Sequence, residues 1–268
     1  MPFPTMVNTP ISTRDDPIRK NYYRPLEIAE FTYGWLFYLG AVASFAPLLI
    51  DQTVHSGLYA VAHGAFVLVV VWMFITGIAI RLYFFPRAED ARRKEFLSNT
   101  FGFDLIHQRT TGYYNNNETD PHKRMGLSVL ENLFFTKAIL REMATPVRAK
   151  AFIYLTIWLV VVVWRDTPMD WIATVAQVLF SEEILARWLR LEWARSRAER
   201  IYDATHLLFQ SNPEPNRLFA YAVDAFGDYE TGKVLGGILQ SQKIFDRLNP
   251  MLTAEWEVVK RGLPALMP

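Results

Sequence analysis

Two uncharged stretches limit what this chain can fold into. Residues 31–50 (FTYGWLFYLGAVASFAPLLI) run for twenty positions without a charge, and residues 58–80 (LYAVAHGAFVLVVVWMFITGIAI) for twenty-three. Coiled as helices they reach roughly 30 and 35 Å, the thickness of a bilayer's hydrocarbon core. The lengths predict two transmembrane helices rather than two buried core helices. The first is expected to be a retained span and not a cleaved signal, because some thirty residues precede it and its apolar run exceeds that of a signal peptide.

Basic residues orient this first hairpin. Arg14, Arg19, Lys20 and Arg24 precede it, residues 51–57 contain no Lys or Arg, and Arg81, Arg87, Arg92, Arg93 and Lys94 follow it. By the excess of cytoplasmic Lys and Arg, both ends of the hairpin are expected in the cytoplasm. Residues 151–164 (AFIYLTIWLVVVVW) and the charge-free opening of residues 171–203 form a second, shorter apolar pair around a polar link. If both cross, four spans result with both termini inside, and Arg165 is the only one of 28 Lys and Arg residues outside. Two spans plus a buried helical hairpin is the alternative.

The expected fold is therefore an all-α integral membrane protein, with four transmembrane helices in two hairpins and a helical cytoplasmic domain. Residues 1–30 form a cytoplasmic arm in which Pro2, Pro4, Pro10, Pro17 and Pro25 oppose a long helix. Residues 31–80 form the first hairpin, 81–146 a cytoplasmic helical section, 147–190 the second hairpin and 191–268 cytoplasmic helices. Within these, 87–100 and 123–143 read as helices around a turn-rich loop at 110–121. Residues 171–203 contain neither Gly nor Pro and read as one helix. Leu191, Ala194, Ala198, Ile201, Thr205 and Leu208 follow a 3,4 spacing that predicts a packing seam, with a partner in the same chain or in a second copy. A further helix is expected over 217–248, and a last one from Thr253 to a stop at Gly262 and Pro264.

Few motifs suggest catalysis. GDYETGK, residues 227–233, matches G-x-x-x-x-G-K, but Val234 stands where a phosphate loop needs Ser or Thr, and the preceding AYAVDAF reads as helix. Its glycines read better as sites of close helix packing. The five histidines form no i, i+4 pair, and there is no cysteine, so no metal, thiol chemistry or disulfide is expected. His63 is the one ionisable group well inside an apolar stretch, where a functional role competes with a satisfied or snorkelling side chain. No G-x-S-x-G elbow occurs. Neither an enzyme nor a cofactor is expected.

Glu182 and Glu183 are harder to explain. On an unbroken helix Glu182 lies roughly 16 Å beyond Trp171, near the bilayer midplane. Arg187 can reach Glu183 at i, i+4, which leaves Glu182 to water or another subunit. Symmetry-related copies would then form a ring of pore-lining carboxylates, as in cation channels. The alternative is a short, tilted span with both glutamates among the arginines at the inner interface. A separate set, Arg92, Arg93, Lys94, Arg109, Lys123 and Arg124 with Tyr113, Tyr114 and Asn115–Asn117, combines basic and aromatic groups suited to phosphates and bases. Basic cytoplasmic loops are ordinary, however, and Glu89, Asp90, Glu95, Glu118 and Asp120 intervene.

Four stretches together resemble a known family: TTGYYNNNE from Thr110, ENLFFTKAIL from Glu131, FSEEILARWLRLEW from Phe180 and YETGKVLGGILQSQKIFDRLNPMLTAEW from Tyr229. They are similar to bacterial four-span, pore-forming effectors of the Hailong type, encoded beside nucleotidyltransferases in anti-phage operons. The resemblance implies a homo-oligomeric channel of the bacterial inner membrane, a tetramer being one candidate state. It implies as ligand a nucleotide or short single-stranded DNA made by the partner nucleotidyltransferase, and depolarisation on opening. It assigns no ligand-binding residue in this chain.

Overall fold

The structure, a computed structural model, describes residues 15–110, 113–116, 118–164 and 166–264. Pro2, Pro4, Pro10, Arg14, Asn117 and Arg165, which entered the expectations above, lie outside the described residues. The described residues form helices α1 (Arg24–Leu49), α2 (Ser56–Ala79), α3 (Phe85–Phe101), α4 (Pro121–Val163), α5 (Met169–Leu179), α6 (Arg187–Gln210), α7 (Pro215–Gly236) and α8 (Gln242–Arg261), and no strand. The all-helical expectation holds for them.

Three helical rods are long and apolar enough to cross a membrane: Arg19–Leu49, Ser56–Phe101 and Pro121–Val163. Their apolar parts leave Trp35, Val42, Leu68, Trp72, Phe152 and Val160 more than half exposed, and α2 buries no residue at all. Surfaces of this kind belong in lipid, so the chain is a membrane-associated protein. The second rod joins α2 to α3 without a loop, so one helix of 46 residues runs from the apolar layer into the rest of the molecule.

Two of the rods contain π-helical turns, at Arg19–Tyr23 and Ile80–Phe84. Each ends two residues before a proline, Pro25 and Pro86. A proline ring collides with the carbonyl four residues back and offers no N–H, and a wider turn there keeps the rod continuous. Pro25 therefore does not keep the arm from being helical, and helix reaches back to Arg19, ahead of the apolar stretch. Leu26, Ile80, Phe85 and Ala88 form a buried cluster with Tyr23 and Phe84 packed on it, so the two turns face each other.

The body is built on the first half of α4. Leu130, Leu133, Ile139 and Leu140 are buried there beneath α6, α7 and α8. Trp256 of α8 is fully buried, its ring 5.8 Å from that of Phe134. The seam on α6 finds its partners within the chain: Leu191, Ala198 and Thr205 are buried where α6 meets α4 and α7. α4 then continues past Pro146 through the boundary expected at 146/147, tying the body rigidly to its own apolar end.

Three helix expectations are corrected. The helix over 171–203 breaks after Leu179, where Ser181 is extended (φ −65°, ψ 164°) and a π turn, Glu182–Ala186, leads into α6. Ser181 occupies an N-cap position without a capping hydrogen bond, and Glu182 and Glu183 fill the first turn, where carboxylates suit the unpaired N–H groups. The helix over 217–248 stops at Gly237, whose left-handed φ of 53° ends α7. α8 then starts at Gln242 and not at Thr253, with the Ser241 hydroxyl accepting from the Ile244 N–H. Gly262 ends it as expected.

Gly126 marks the tightest approach in the body, since a Cβ there would lie 2.8 Å from Cζ of the fully buried Phe209. Gly126→Val should cost about 1–3 kcal/mol through overpacking, seen as a lowered thermal midpoint in detergent, while Gly64→Val, at a site open to lipid, should leave it nearly unchanged.

Candidate functional site at the junction of the spans and the body

Charged side chains gather where the apolar rods meet the body. Glu30 immediately precedes the first apolar stretch, Arg81 follows the second and Lys150 precedes the third. The break after α5 brings Glu182 and Glu183 to this level. Glu182, 47% exposed, pairs with Arg81 of the second rod and stands 3.5 Å from Arg190 of α6. Glu183 is buried; Arg187 reaches it at 3.3 Å and Glu30 at 3.7 Å. The Lys150 ammonium donates to the Glu183 carbonyl at 3.4 Å. Both glutamates thus contact residues at the body-side ends of the apolar stretches and not their middles.

A cavity of about 730 Å³ opens beside this network. Arg81, Glu182, Arg187 and Arg190 line one wall, while Asp90 and Arg93 of α3 and Glu230 of α7 line the other. The cavity is bordered at once by residues of the apolar rods, α3, α6 and α7.

The proposed basic and aromatic set does not assemble into one open surface. Arg92 is enclosed: it pairs with Asp16 at 2.7 Å and its guanidinium lies 4.4 Å from the Tyr113 ring centre. Tyr114 packs on Phe96, and its hydroxyl donates to Glu95 at 3.2 Å; burial pushes that phenol well above its ordinary pKa. Arg93 and Lys94 both pair with Asp90. Arg109 donates to the Ser98 carbonyl and Arg124 to the Asn99 carbonyl, at 3.0 and 3.1 Å, capping the open end of α3. Lys123 is half-buried in the first turn of α4. Asn115 donates to the buried Glu131 from both its backbone N–H and its side-chain amide. Burial raises the Glu131 carboxyl to about 7, against these bonds. Glu131 lies about 30 Å along α4 from the apolar stretch.

Sequence reasoning missed Lys233. Of the two glycines in GDYETGK only Gly232 serves close packing, since a Cβ there would press on Arg197, as one on Gly236 would on Ala194; Gly227 has nothing within 4 Å. Lys233 itself is a half-buried cation, 2.7 Å from Glu89 of α3 and 2.6 Å from Glu230 one turn back. The Tyr23 hydroxyl donates to the other oxygen of Glu89 at 2.9 Å. Burial alone would lower the Lys233 pKa, but Glu89, Tyr229 and Glu230 around it hold it well above the ordinary value. One ammonium therefore fastens α7 to α3 and, through Glu89, to the start of the first rod. Its place in a helix pattern without a charged partner at i+4 hid it, because Glu89 is 144 residues away in sequence.

A second clamp joins α4 to α6. Arg148 grips Glu192 through two nitrogens, one at 2.9 Å, and Trp188 and Arg195 donate to the same carboxylate at 3.3 and 3.2 Å. These bonds, Arg148 foremost, hold Glu192 at about 2.

Comparison with protein-family models, curated proteins and solved structures finds no match for this chain. What the fold and the junction define is a helical membrane-associated protein whose apolar rods are fastened to a helical body by exposed and half-buried ion pairs.

Lys233→Met leaves the buried Glu89 and the half-buried Glu230 without their cation and should destabilise the protein by up to about 3–5 kcal/mol; the triple variant that also carries Glu89→Gln and Glu230→Gln should recover most of the loss. Thermal unfolding in detergent measures both. Glu192 has its pKa depressed by folding, so its stabilisation is present above about pH 4.5 and is lost as pH falls toward 2. Glu192→Gln should therefore have a lower thermal midpoint than wild type near neutrality and match it near pH 2.

Proposed function

We propose that this chain is a ligand-gated, homo-oligomeric pore of the bacterial inner membrane, acting as an anti-phage defence effector. It crosses the membrane four times, with residues 151–164 and α5 as the second hairpin, and its termini and body lie in the cytoplasm. A nucleotide or short single-stranded DNA, supplied by a partner nucleotidyltransferase, controls opening, and opening depolarises the cell. No catalysis is involved. The distribution of Lys and Arg favours this orientation, and the four stretches that resemble the effector family favour the biological role.

The observation that carries the reading is mechanical. α4 and the α2–α3 rod are unbroken from the body to the ends of their apolar stretches, and the Arg81–Glu182–Arg190 network ties the second rod to the break before α6. A ligand that shifts α3, α6 or α7 around the charged cavity moves the spans directly. Arg93, which lines the cavity, is the member of the basic set best placed for such a ligand. Glu182 and Glu183 act here as a latch at the inner mouth.

A non-conducting scaffold that recruits a cytoplasmic partner is the second reading. It is favoured by the pairing of both glutamates with arginines, which leaves neither as a bare charge for ions.

Planar-bilayer recordings with purified protein decide between them. A pore gives current that responds to short single-stranded DNA on the body side, with DNA affinity falling as salt rises. Glu182→Gln should shift its open probability by up to about fivefold, the worth of an exposed ion pair. Silence from folded protein in every condition sinks the pore and leaves the scaffold.

A further inference from the structure

Helix α5 wears its polarity the wrong way round for a helix surrounded by lipid. Its apolar side faces the chain's own rods: the Trp171 ring lies 5.7 Å from that of Phe45 in α1, and Leu179 is fully buried with Phe37, Val178 and Ile184 about it. At 100° per residue, Asp170, Ala173, Thr174 and Gln177 fall together on the opposite side, within an arc of about 100°. Asp170, Ala173 and Gln177 are exposed there, and Thr174 turns its hydroxyl back to the Asp170 carbonyl at 2.8 Å. No large apolar side chain lies within this arc.

The neighbourhood makes the arc anomalous. α5 packs against α1 at Phe45 and against α4 at Leu155 and Trp158, all within apolar stretches. The exposed surfaces around it, such as Val42, Phe152 and Val160, are apolar as lipid requires. A surface amide such as that of Gln177 has no partner in hydrocarbon. The arc begins at the exposed carboxylate of Asp170, at the end away from the body, and at its body-side end stands Glu182 in its ion pairs with Arg81 and Arg190.

We infer that the Asp170–Thr174–Gln177 arc lines a water-filled path between copies of this chain, with α5 of each copy turned toward the common axis. The path is filled by water, and Asp170 at its outer end, a carboxylate exposed on the arc, favours hydrated cations there. The inference rests on the pore reading and adds to it the residues that face the water, which are not the glutamates singled out by the sequence.

The chain contains no cysteine, so single cysteines report accessibility in the full-length protein. Ala173→Cys and Gln177→Cys are placed on the arc, and Leu68→Cys and Val160→Cys on lipid-facing positions. Each variant is reconstituted in vesicles and treated with a membrane-impermeant, positively charged thiosulfonate. A thiol reacts as thiolate, which forms in water and not in lipid, so arc positions should label at least about tenfold faster than lipid-facing ones. Labelling at Gln177→Cys should also reduce any current. Fast labelling in a protein without current supports the wet arc and overturns conduction instead. Slow labelling at arc and lipid positions alike, in protein that does conduct, overturns the inference and leaves the pore. Arc cysteines that resist the reagent but cross-link copy to copy overturn it too, because the arcs then meet in a dry interface.

Discussion

A helix in hydrocarbon must satisfy every backbone N–H and C=O from within, and the architecture of this chain follows from that demand. The prolines inside the rods stand where the demand is weakest. Pro47 lies in the last turn of α1, Pro146 lies on the body side of the third apolar stretch, and Pro25 and Pro86 follow wide turns that keep the rods intact. Because the rods remain unbroken, the body does not hang from the membrane segments by loops. It is built on extensions of the same helices.

Charge then gathers at the one level where the rods leave their apolar stretches. The groups there are half-screened by protein, and most pair between a rod and the turn or helix that follows α5. Arg81 meets Glu182, Arg187 meets Glu30, and Arg148 meets Glu192. An exposed pair contributes little to stability by itself. The Lys233 cluster behind them is another matter, because its Glu89 carboxylate is buried and loses its solvation whether or not the cation is present. The junction therefore has a firm inner tie and a soft outer one.

Much of this was legible in the sequence, and the reasons are physical. The first two spans announce themselves by length alone, and the seam on α6 by its spacing. Of the two glycines of GDYETGK, Gly232 does mark a close helix approach, while Gly227 faces open space. Other features were hidden by the same logic. The break at Ser181 uses neither Gly nor Pro, and its only trace is a Ser-Glu-Glu run that suits a helix start as well as a helix interior. The polar side of α5 is three residues in eleven with one charge, invisible to a search for charged segments. The basic set near Tyr113 looked like a surface because proximity in sequence was taken for a shared face. In the fold, Arg92 goes inward, Arg93 and Lys94 turn to Asp90, and Arg109 and Arg124 close the end of α3.

The π turn at Ile80–Phe84 has an effect on phase. One extra residue in a helical turn advances everything beyond it by about 100°. Upstream of the turn, α2 buries nothing; downstream, α3 buries Phe85, Ala88, Glu89, Ala91, Glu95 and Phe96. A single rod thus presents two faces whose directions are set independently, and the turn is the offset between them. Removing one residue there would leave both halves well formed yet swing the apolar segment around its own axis relative to the body, so that Arg81 no longer pointed at Glu182. The rod works as a shaft with a keyed coupling, and the key is one amino acid wide.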